Sequence, residues 1–406
     1  MKNFKQKHFT FTIVGAGASG LWLAYEFLKQ GLLNNNTLCI VEFDVNKVND
    51  RTWCFWDINT TIPDKIISKN WANIYNQHRL TKNECLAPYK YYHIRSADFY
   101  DYIKKHLANN KNVFWKNNYV TQINTINNQV EVITNLDSWN SNFVFTSIMP
   151  IKNNIQSKSL ILNPNNYPQK ISTKKPDLFL WQSFVGWRVQ TNNNVFDENR
   201  ISMMQFTNIS QDGNTQFMYE LPFDKNNALV EITRFGKEKL SKIEAKIELE
   251  KFMLNKNCTY SIIEEEIGAI PMTTAYDVTK KYLPKNQHII YIGTAAGAIK
   301  PTTGYGFKRM KAYSISLSNA IKYNTKIPTM HRLWRFRLYD TLLLKILKNE
   351  PEKGKQIFET LFKTQPIQRI LKFLDEDTSI WEEIKIFIKL PIHLFLKYLM
   401  KHIVLK

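Results

Sequence analysis

Cysteine is scarce: four residues in 406, at positions 39, 54, 85 and 258. They form no Cys-x-x-Cys pair and none joins a Cys/His group of zinc spacing, which excludes a disulfide framework and a zinc module. The sequences around Cys39 (LCIVE) and Cys54 (TWCFW) read as strand or core, so buried thiols in a reducing compartment are expected. Long apolar runs are missing too. No stretch of about 18 residues is free of charge, so no spanning helix is expected. The opening MKNFKQKHFTFTIVG lacks the apolar core and small-residue site of a secretory leader, and the chain reads as cytoplasmic. The eight histidines are scattered, with no HxxxH or HExxH, so no metal site is expected. Acidic residues are in deficit, 35 against 55 basic ones, a formal charge of +20. That excess points to nucleic acid, a membrane surface or an acidic substrate, or to a Lys- and Asn-rich solvated surface. Nucleic-acid binding asks for a basic patch interleaved with stacking aromatics. None lies near the motifs below, so no nucleic-acid partner is expected.

What is present is ordinary for a globular chain: 44% hydrophobic and 22% charged residues, over a length that suits two to three domains. Phe9 to Val14 (FTFTIV) is a β-branched and aromatic run ending at Gly15, as a buried strand does. Residues 19–30 (SGLWLAYEFLKQ) have helical spacing closed by Gly31, and Leu38 to Val41 is a second apolar strand with Glu42 at its end. Together they make a βαβ unit. The pattern then predicts a helix over 97–107, strands over 113–134 and a crossing between domains at 150–178. Mostly strands follow over 181–265, with a helix at 240–254, and from about 330 the chain is helical.

Gly15-Ala16-Gly17-Ala18-Ser19-Gly20 is a GxGxxG between strand and helix, with Glu42 about twenty residues on. In that context Gly15 makes the turn, Gly17 lets the backbone approach a pyrophosphate and Gly20 lets helix and strand pack. Glu42 is placed for a ribose hydroxyl pair. A second loop follows an apolar strand: Gly293, Thr294 and Gly297, then Lys300-Pro301-Thr302-Thr303-Gly304-Tyr305-Gly306. Two such loops near opposite ends of the chain fit a discontinuous domain clasping one long cofactor such as FAD. No second GxGxxG marks a separate nicotinamide nucleotide domain. Arg51, in NDRTWCFW, stands where a guanidinium can pair with a cofactor phosphate, while Trp53 and Trp56 can line an apolar cavity or simply fill a core turn. In LVEITRF, Glu231 shares a strand face with Leu229 and Thr233. A carboxyl among apolar groups has a raised pKa and is a candidate proton donor. The same residue also suits an exposed strand position or a partner for Arg234. Glu264-Glu265-Glu266 reads as a solvated charge run.

These residues resemble a known family, the flavoprotein lycopene cyclases, most closely the bacterial lycopene β-cyclases. GAGASGLWLA, VEFD and NDRTWCFW are similar to its N-terminal block. LWQSFVGW, FMYELPF and ALVEITRFG resemble its middle blocks, and IGAIPMTT and GTAAGAIKPTTGYGFKRM its late ones. The resemblance implies an α/β fold: a discontinuous FAD-binding Rossmann-type domain of the GR/PHBH-like kind, a β-sheet substrate domain and a C-terminal helical region. The implied division is 1–150 and 267–330 for the FAD part, 151–266 for the substrate part and 331–406 for the helices. The implied reaction is redox-neutral closure of the ψ ends of lycopene or other acyclic carotenoids to β-rings. It uses reduced FAD, maintained by NADPH or NADH, and the acid–base glutamate falls on Glu231. Three positions depart from the family pattern: Ile232 replaces a second acidic residue, Gln205 an Asp, and Thr146 the Asp of a turn. The alternatives are an FAD-dependent isoprenoid reductase or monooxygenase and, in another class, a flavin-containing RNA-binding protein.

A hydrocarbon substrate brings the enzyme to a bilayer. Lys385, Lys389, His393, Lys397 and Lys401 recur every four residues among Ile, Phe, Leu and Met, with Pro391 placed to kink or split the helix. One basic stripe beside an apolar face suits the cytoplasmic surface of a membrane, and equally a helix pair docked on the enzyme body.

Overall fold

In the computed structural model, HFTFTIV forms the strand His8–Val14 inside a nine-stranded sheet. The structure describes residues 8–44, 47–126, 129–148, 150–154, 159–162, 178–206, 210, 212–274 and 288–404. His8–Val14 runs parallel to Leu38–Val41 on one side and to Ser138–Thr146 on the other, with Ile13 opposite both Ile40 and Phe145. Val113–Lys116 extends the sheet beyond Leu38–Val41, and Ile289–Tyr291 joins Ser138–Thr146, both in parallel. These short strands are apolar without alternation because both faces are covered. On one face the helices Ala18–Lys29, Ser96–Leu107 and Phe307–Lys322 bury Leu21, Trp22, Phe99 and Leu317. On the other, Val120–Ile126 and Gln129–Thr134 enclose Phe9, Val130 and Trp139.

The sheet continues past residue 150. Pro150–Asn154 and Ser159–Leu162 pair with each other, and the second pairs with Val120–Ile126. The described part of the expected crossing is therefore a hairpin of the first sheet; residues 163–177 lie outside the described residues. Residues 52–95 likewise leave that sheet. Thr52–Asp57, Lys90–Arg95 and Lys69–Trp71 make a three-stranded sheet, while Asn73–Tyr75 and Asn83–Cys85 join the second large one.

The second sheet has Tyr260–Thr273, Phe179–Thr191, Asn227–Gly236 and Gln216–Pro222 as antiparallel neighbours. Its first strand reaches Thr273, beyond the boundary placed at 266. One face packs on the helix Lys242–Leu254, where Val185, Trp187 and Ile232 meet Ala245, Leu249 and Met253. A capping box of Ser241 and Glu244 starts that helix. The opposite face packs in part on the helices Trp334–Asn349 and Lys353–Thr364, through Phe217, Leu229 and Phe235, and elsewhere lines cavities. Trp334–Asn349, Lys353–Thr364, Ile367–Leu374, Ile380–Phe387 and Ile392–Val404 follow as helices, and Pro391 splits the last two. Trp56 and Trp71 are tied into this part of the molecule, donating to Leu371 O at 3.1 Å and Pro222 O at 2.9 Å. Of the cysteines, Cys39 is buried but Cys85 is exposed: its short edge strand has only one neighbour to cover it.

Candidate active site

The two glycine loops meet at the C-terminal end of the parallel strands, where open α/β sheets bind ligands. Gly15 has φ +97°, and a Cβ there would stand 2.3 Å from Ser147 Oγ, which donates to Val14 O. A Cβ on Gly20 would lie 2.1 Å from Gly15 O, so helix and turn touch backbone to backbone. Gly17, the N-cap of Ala18–Lys29, has nothing within 4 Å of a Cβ, which leaves the helix N-terminus open to an anion. Gly293 approaches Ser19 across the gap, a Cβ on it meeting Ser19 Cβ at 3.1 Å. Gly293, Gly297 and Gly304 all have positive φ, and Gly297 donates to Thr294 O at 2.9 Å. The buried hydroxyls Ser19 Oγ and Thr303 Oγ1 find no partner among the described residues. A cradle with open donors and orphaned hydroxyls fits a dinucleotide such as FAD.

Glu42 sits against the fingerprint loop, but its oxygens are engaged. Oε2 accepts from Ala16 N at 2.8 Å and Lys47 Nζ at 2.5 Å, and Oε1 from the amides of Phe43 and Asp44 at 3.1 and 3.2 Å. A ribose would meet a carboxylate that already holds four donors. Arg51 is exposed, and its Nη1 donates to Asp50 O at 2.8 Å while the side chain reaches the cavity rim.

Between this cradle and the second sheet lies a cavity of about 200 Å³, walled by Trp53, Phe184, Ile270, Tyr305, Phe307 and Met310. Trp56 faces a neighbouring hollow instead. Glu231 opens into the cavity. The register of four adjacent strands sets Tyr219, Glu231, Gly186 and Glu266 in one row across the sheet, on one face. Glu231 and Glu266 therefore flank a residue with no side chain, and the two carboxyls converge above it. Glu231 Oε1 accepts from Thr233 Oγ1 at 2.9 Å, and Glu266 Oε2 from Thr52 Oγ1 at 2.5 Å. Burial, and then the neighbouring Glu266 charge, push the Glu231 carboxyl well above the usual range. Burial also raises Glu266, against the Thr52 hydroxyl, the Glu231 contact and the Arg51 charge, which favour its ionised form. Burial and their mutual repulsion therefore favour retention of a proton by the pair, and Glu231 is the more strongly raised of the two. Tyr91 and Tyr219 both hydrogen bond with Tyr305 (the first at 3.1 Å), and burial raises all three phenols, which stay protonated.

A larger chamber of about 630 Å³ adjoins the cavity at Thr52, Leu229 and Glu266, and its wall carries His93, Arg95, Arg188 and Glu264. Burial, with Arg188 and Arg95 beside it, pushes His93 down to about 3, so the ring is neutral. Behind the second glycine loop, Lys300 and Thr302 are anchored by a buried cluster. Asp340 Oδ1 lies 3.1 Å from Lys300 Nζ and accepts from Thr302 Oγ1 at 2.7 Å. Glu376 lies 3.1 Å from Lys300 Nζ, and Arg332 bonds both acids.

Glu264-Glu265-Glu266 is a solvated run only in part, with Glu265 exposed and Glu266 buried. Glu265 faces Trp187 and Lys242, while Glu264 pairs with Arg95 and Glu266 turns inward. Strand alternation puts Glu264 and Glu266 on one face, but their register against Glu231 is not written in either segment. The available signal was Gly186 within an apolar strand, a mark of close approach. Ile232 is fully buried on the opposite face, against the helix Lys242–Leu254, so an acid there would not reach the cavity. The acidic partner of Glu231 comes from the next-but-one strand.

A parallel sheet with glycine loops at its C-terminal end, a large antiparallel sheet and a cavity between them define a fold class shared with solved flavoproteins. The fold is similar to that of a geranylgeranyl bacteriochlorophyll reductase-like protein from Thermoplasma acidophilum, at TM-score 0.54 and 13% identity over 96% of this chain and 98% of that one. It is also similar to p-nitrophenol 4-monooxygenase from Pseudomonas putida (TM-score 0.54, 13% identity, 96% and 99% covered) and to CtdE in complex with FAD and a substrate (0.52, 13%, 89% and 90%). Within this class the chain belongs to the lycopene cyclase protein family, whose model matches residues 11–400. A curated relative, chloroplastic neoxanthin synthase of potato (Solanum tuberosum), is 24% identical over 239 residues, 51% of this chain and 47% of its own length. The chain thus matches about half the length of that relative.

Proposed function

We propose that the protein is a flavin-dependent lycopene β-cyclase, closing the acyclic ends of lycopene to β-rings without net redox change. The observation that carries this reading is a pair of carboxyls, Glu231 and Glu266, set by the sheet register at the wall of an aromatic-lined cavity beside the glycine loops. An alkene is a weak base, so its protonation needs a strong donor kept from water. Glu231 meets both needs: burial and the Glu266 charge raise its carboxyl above the usual range, and apolar walls admit a hydrocarbon end. Proton addition leaves a tertiary cation, which the second double bond of the same end captures to close the six-membered ring. Trp53, Phe184, Tyr305 and Phe307 line the space where that cation forms, and aromatic rings there can stabilise it. Gly15, Gly17, Gly20, Gly293, Thr294, Gly297 and Gly304 would hold FAD, with Glu42 and Arg51 at its edge. In reduced, anionic form, maintained by NADPH or NADH, FAD supplies negative charge beside the cavity.

The membrane-facing part of the reading is supported by the last helices. Leu394, Phe395 and Tyr398 dock on the body of the enzyme, while Trp381, Ile384, Ile388, Ile392, Leu396 and Met400 form an exposed row at intervals of three and four. Lys385, Lys389, His393, Lys397 and Lys401 are exposed beside it, and Lys397 also pairs with Glu350 at 2.7 Å. An apolar row flanked by cations matches the cytoplasmic lipid interface, where an acyclic carotenoid resides. Among the described residues no helix is long and apolar enough to cross a membrane.

The deciding experiment is expression in a bacterial host that accumulates lycopene, with pigment analysis. Cyclic carotenoids are expected. Persisting lycopene, with the protein folded and flavin-bound, would refute the reading. Stoichiometric consumption of NADPH would favour the reductase or monooxygenase instead.

A further inference from the structure

Cyclisation adds a proton at one carbon and removes one from another, and a single carboxyl would have to serve both positions. The row across the second sheet contains two. Glu266 Oε1 is buried and has no donor among the described residues; it lies 3.4 Å from the site of a Cβ on Gly186, on the side toward Glu231. Any side chain at 186 would fill that space, since its Cβ would already be 3.1 Å from Glu266 Cγ and Leu229 Cδ1. Glu266 also stands where the inner cavity meets the larger chamber.

We propose that Glu266 is the base of the cyclisation: Glu231 protonates the acyclic end, and the Glu266 carboxylate removes the proton that leaves the closed ring. The assignment rests on the cyclase reading above. Its steps balance without a co-reactant. The Glu231 O–H bond breaks as a C–H bond forms at the terminal double bond. The second double bond supplies the electron pair of the new C–C bond. A neighbouring ring C–H bond then breaks, its electron pair becomes the ring double bond, and the proton goes to Glu266 Oε1. Transfer from Glu266 to Glu231 across their direct contact restores the resting pair. Glu266 is faced by Thr52 with Arg51 just before it, by Glu231 from the next-but-one strand and by Glu264 on its own. Lys47, His93, Arg95 and Arg188 look toward it from the chamber wall.

The test uses the full-length flavin-loaded enzyme in lipid vesicles containing lycopene. Glu266→Gln should lower the rate of ring formation at least ~100-fold, the usual worth of a positioned base, with flavin content unchanged. In deuterated water, lycopene recovered from Glu266→Gln should carry deuterium at its ends, because protonation by Glu231 continues and reverses. Glu231→Gln should leave it unlabelled. Thr52→Val removes a hydrogen bond that favours the Glu266 carboxylate, so the acid limb of the pH–rate profile should move to higher pH. It decides the question even where Glu266→Gln fails to fold. A Glu266→Gln variant within threefold of the parent, or an unmoved acid limb in Thr52→Val, overturns the assignment. A parent enzyme that leaves lycopene untouched sinks the cyclase reading instead.

Discussion

Replacing Asp340 by Leu puts the anchoring of the second glycine loop to a quantitative test. Lys300, Asp340 and Arg332 are 3%, 3% and 6% exposed, and with Glu376 they form a buried core of two cations and two anions, with the part-exposed Arg309 3.7 Å from Glu376 at its edge. Asp340→Leu removes one anion and the acceptor of the Thr302 hydroxyl, leaving two buried cations to share Glu376. Breaking a buried ion pair from one side costs ~3–5 kcal/mol, because the uncompensated charge stays desolvated. The second substitution Lys300→Met in the same chain restores balance, leaving the Arg332–Glu376 pair, whose Nε–Oε1 distance is 2.9 Å. Exchanging a whole buried pair for apolar side chains is close to neutral, so the double variant should recover at least half the loss. Urea unfolding followed by circular dichroism measures both, and hydrogen exchange over 300–306 reports the loop directly. A single variant that loses less than ~1 kcal/mol, or a double variant no better than the single, would show that the charges do not hold the loop.

Further outcomes follow from the same geometry. Burial alone would raise Glu376, but the Lys300 ammonium and Arg332 guanidinium outweigh it and hold the carboxyl down at about 2. Its stabilisation is therefore complete above the unfolded value of about 4.3 and should be lost as pH falls toward 2, visible as acid unfolding that Glu376→Gln brings to higher pH. Glu231 has the opposite sign: its folded pKa is raised, so folding is penalised as pH rises above about 4.3. Glu231→Gln should then be inactive yet more stable than the parent at pH 7, with no gain at pH 4; equal melting at both would contradict a buried protonated carboxyl. Gly20→Ala should yield protein with less than a tenth of the parent's flavin absorbance, since its Cβ meets backbone at 2.1 Å, whereas Gly17→Ala should fold normally and weaken only flavin binding. Trp381→Glu with Ile388→Glu should cut co-sedimentation with anionic vesicles several-fold without changing flavin content; unaltered binding would place the lipid contact elsewhere.

The first sheet was legible because its signals are local. An apolar run, a glycine turn, a helix of regular period and a second apolar run fold the same way wherever they stand, and FTFTIV, GAGASG and LCIV did so. The helix expected over 240–254 forms at Lys242–Leu254, where the capping box of Ser241 and Glu244 fixes its start. The hairpin at 150–162 was not, because strands that borrow their partners from a sheet already formed need little pattern of their own.

The chemistry divided along the same line. Glycine spacing and the motif around Glu231 follow from neighbours in the chain, and they suffice to name a cofactor cradle and one acidic residue. The second carboxyl does not. Glu231 and Glu266 are separated by a helix and a strand boundary, and only the antiparallel register of three strands sets them on either side of Gly186. A shift of one residue in either pairing would turn Glu266 away from the cavity and leave a surface charge run, since successive side chains point to opposite faces. Sequence alone determined a strand, glycine turn, helix and strand unit and a glutamate on a β-strand; tertiary structure decided that the glutamate lines a cavity and has a partner, because register is a property of the sheet and not of any one strand.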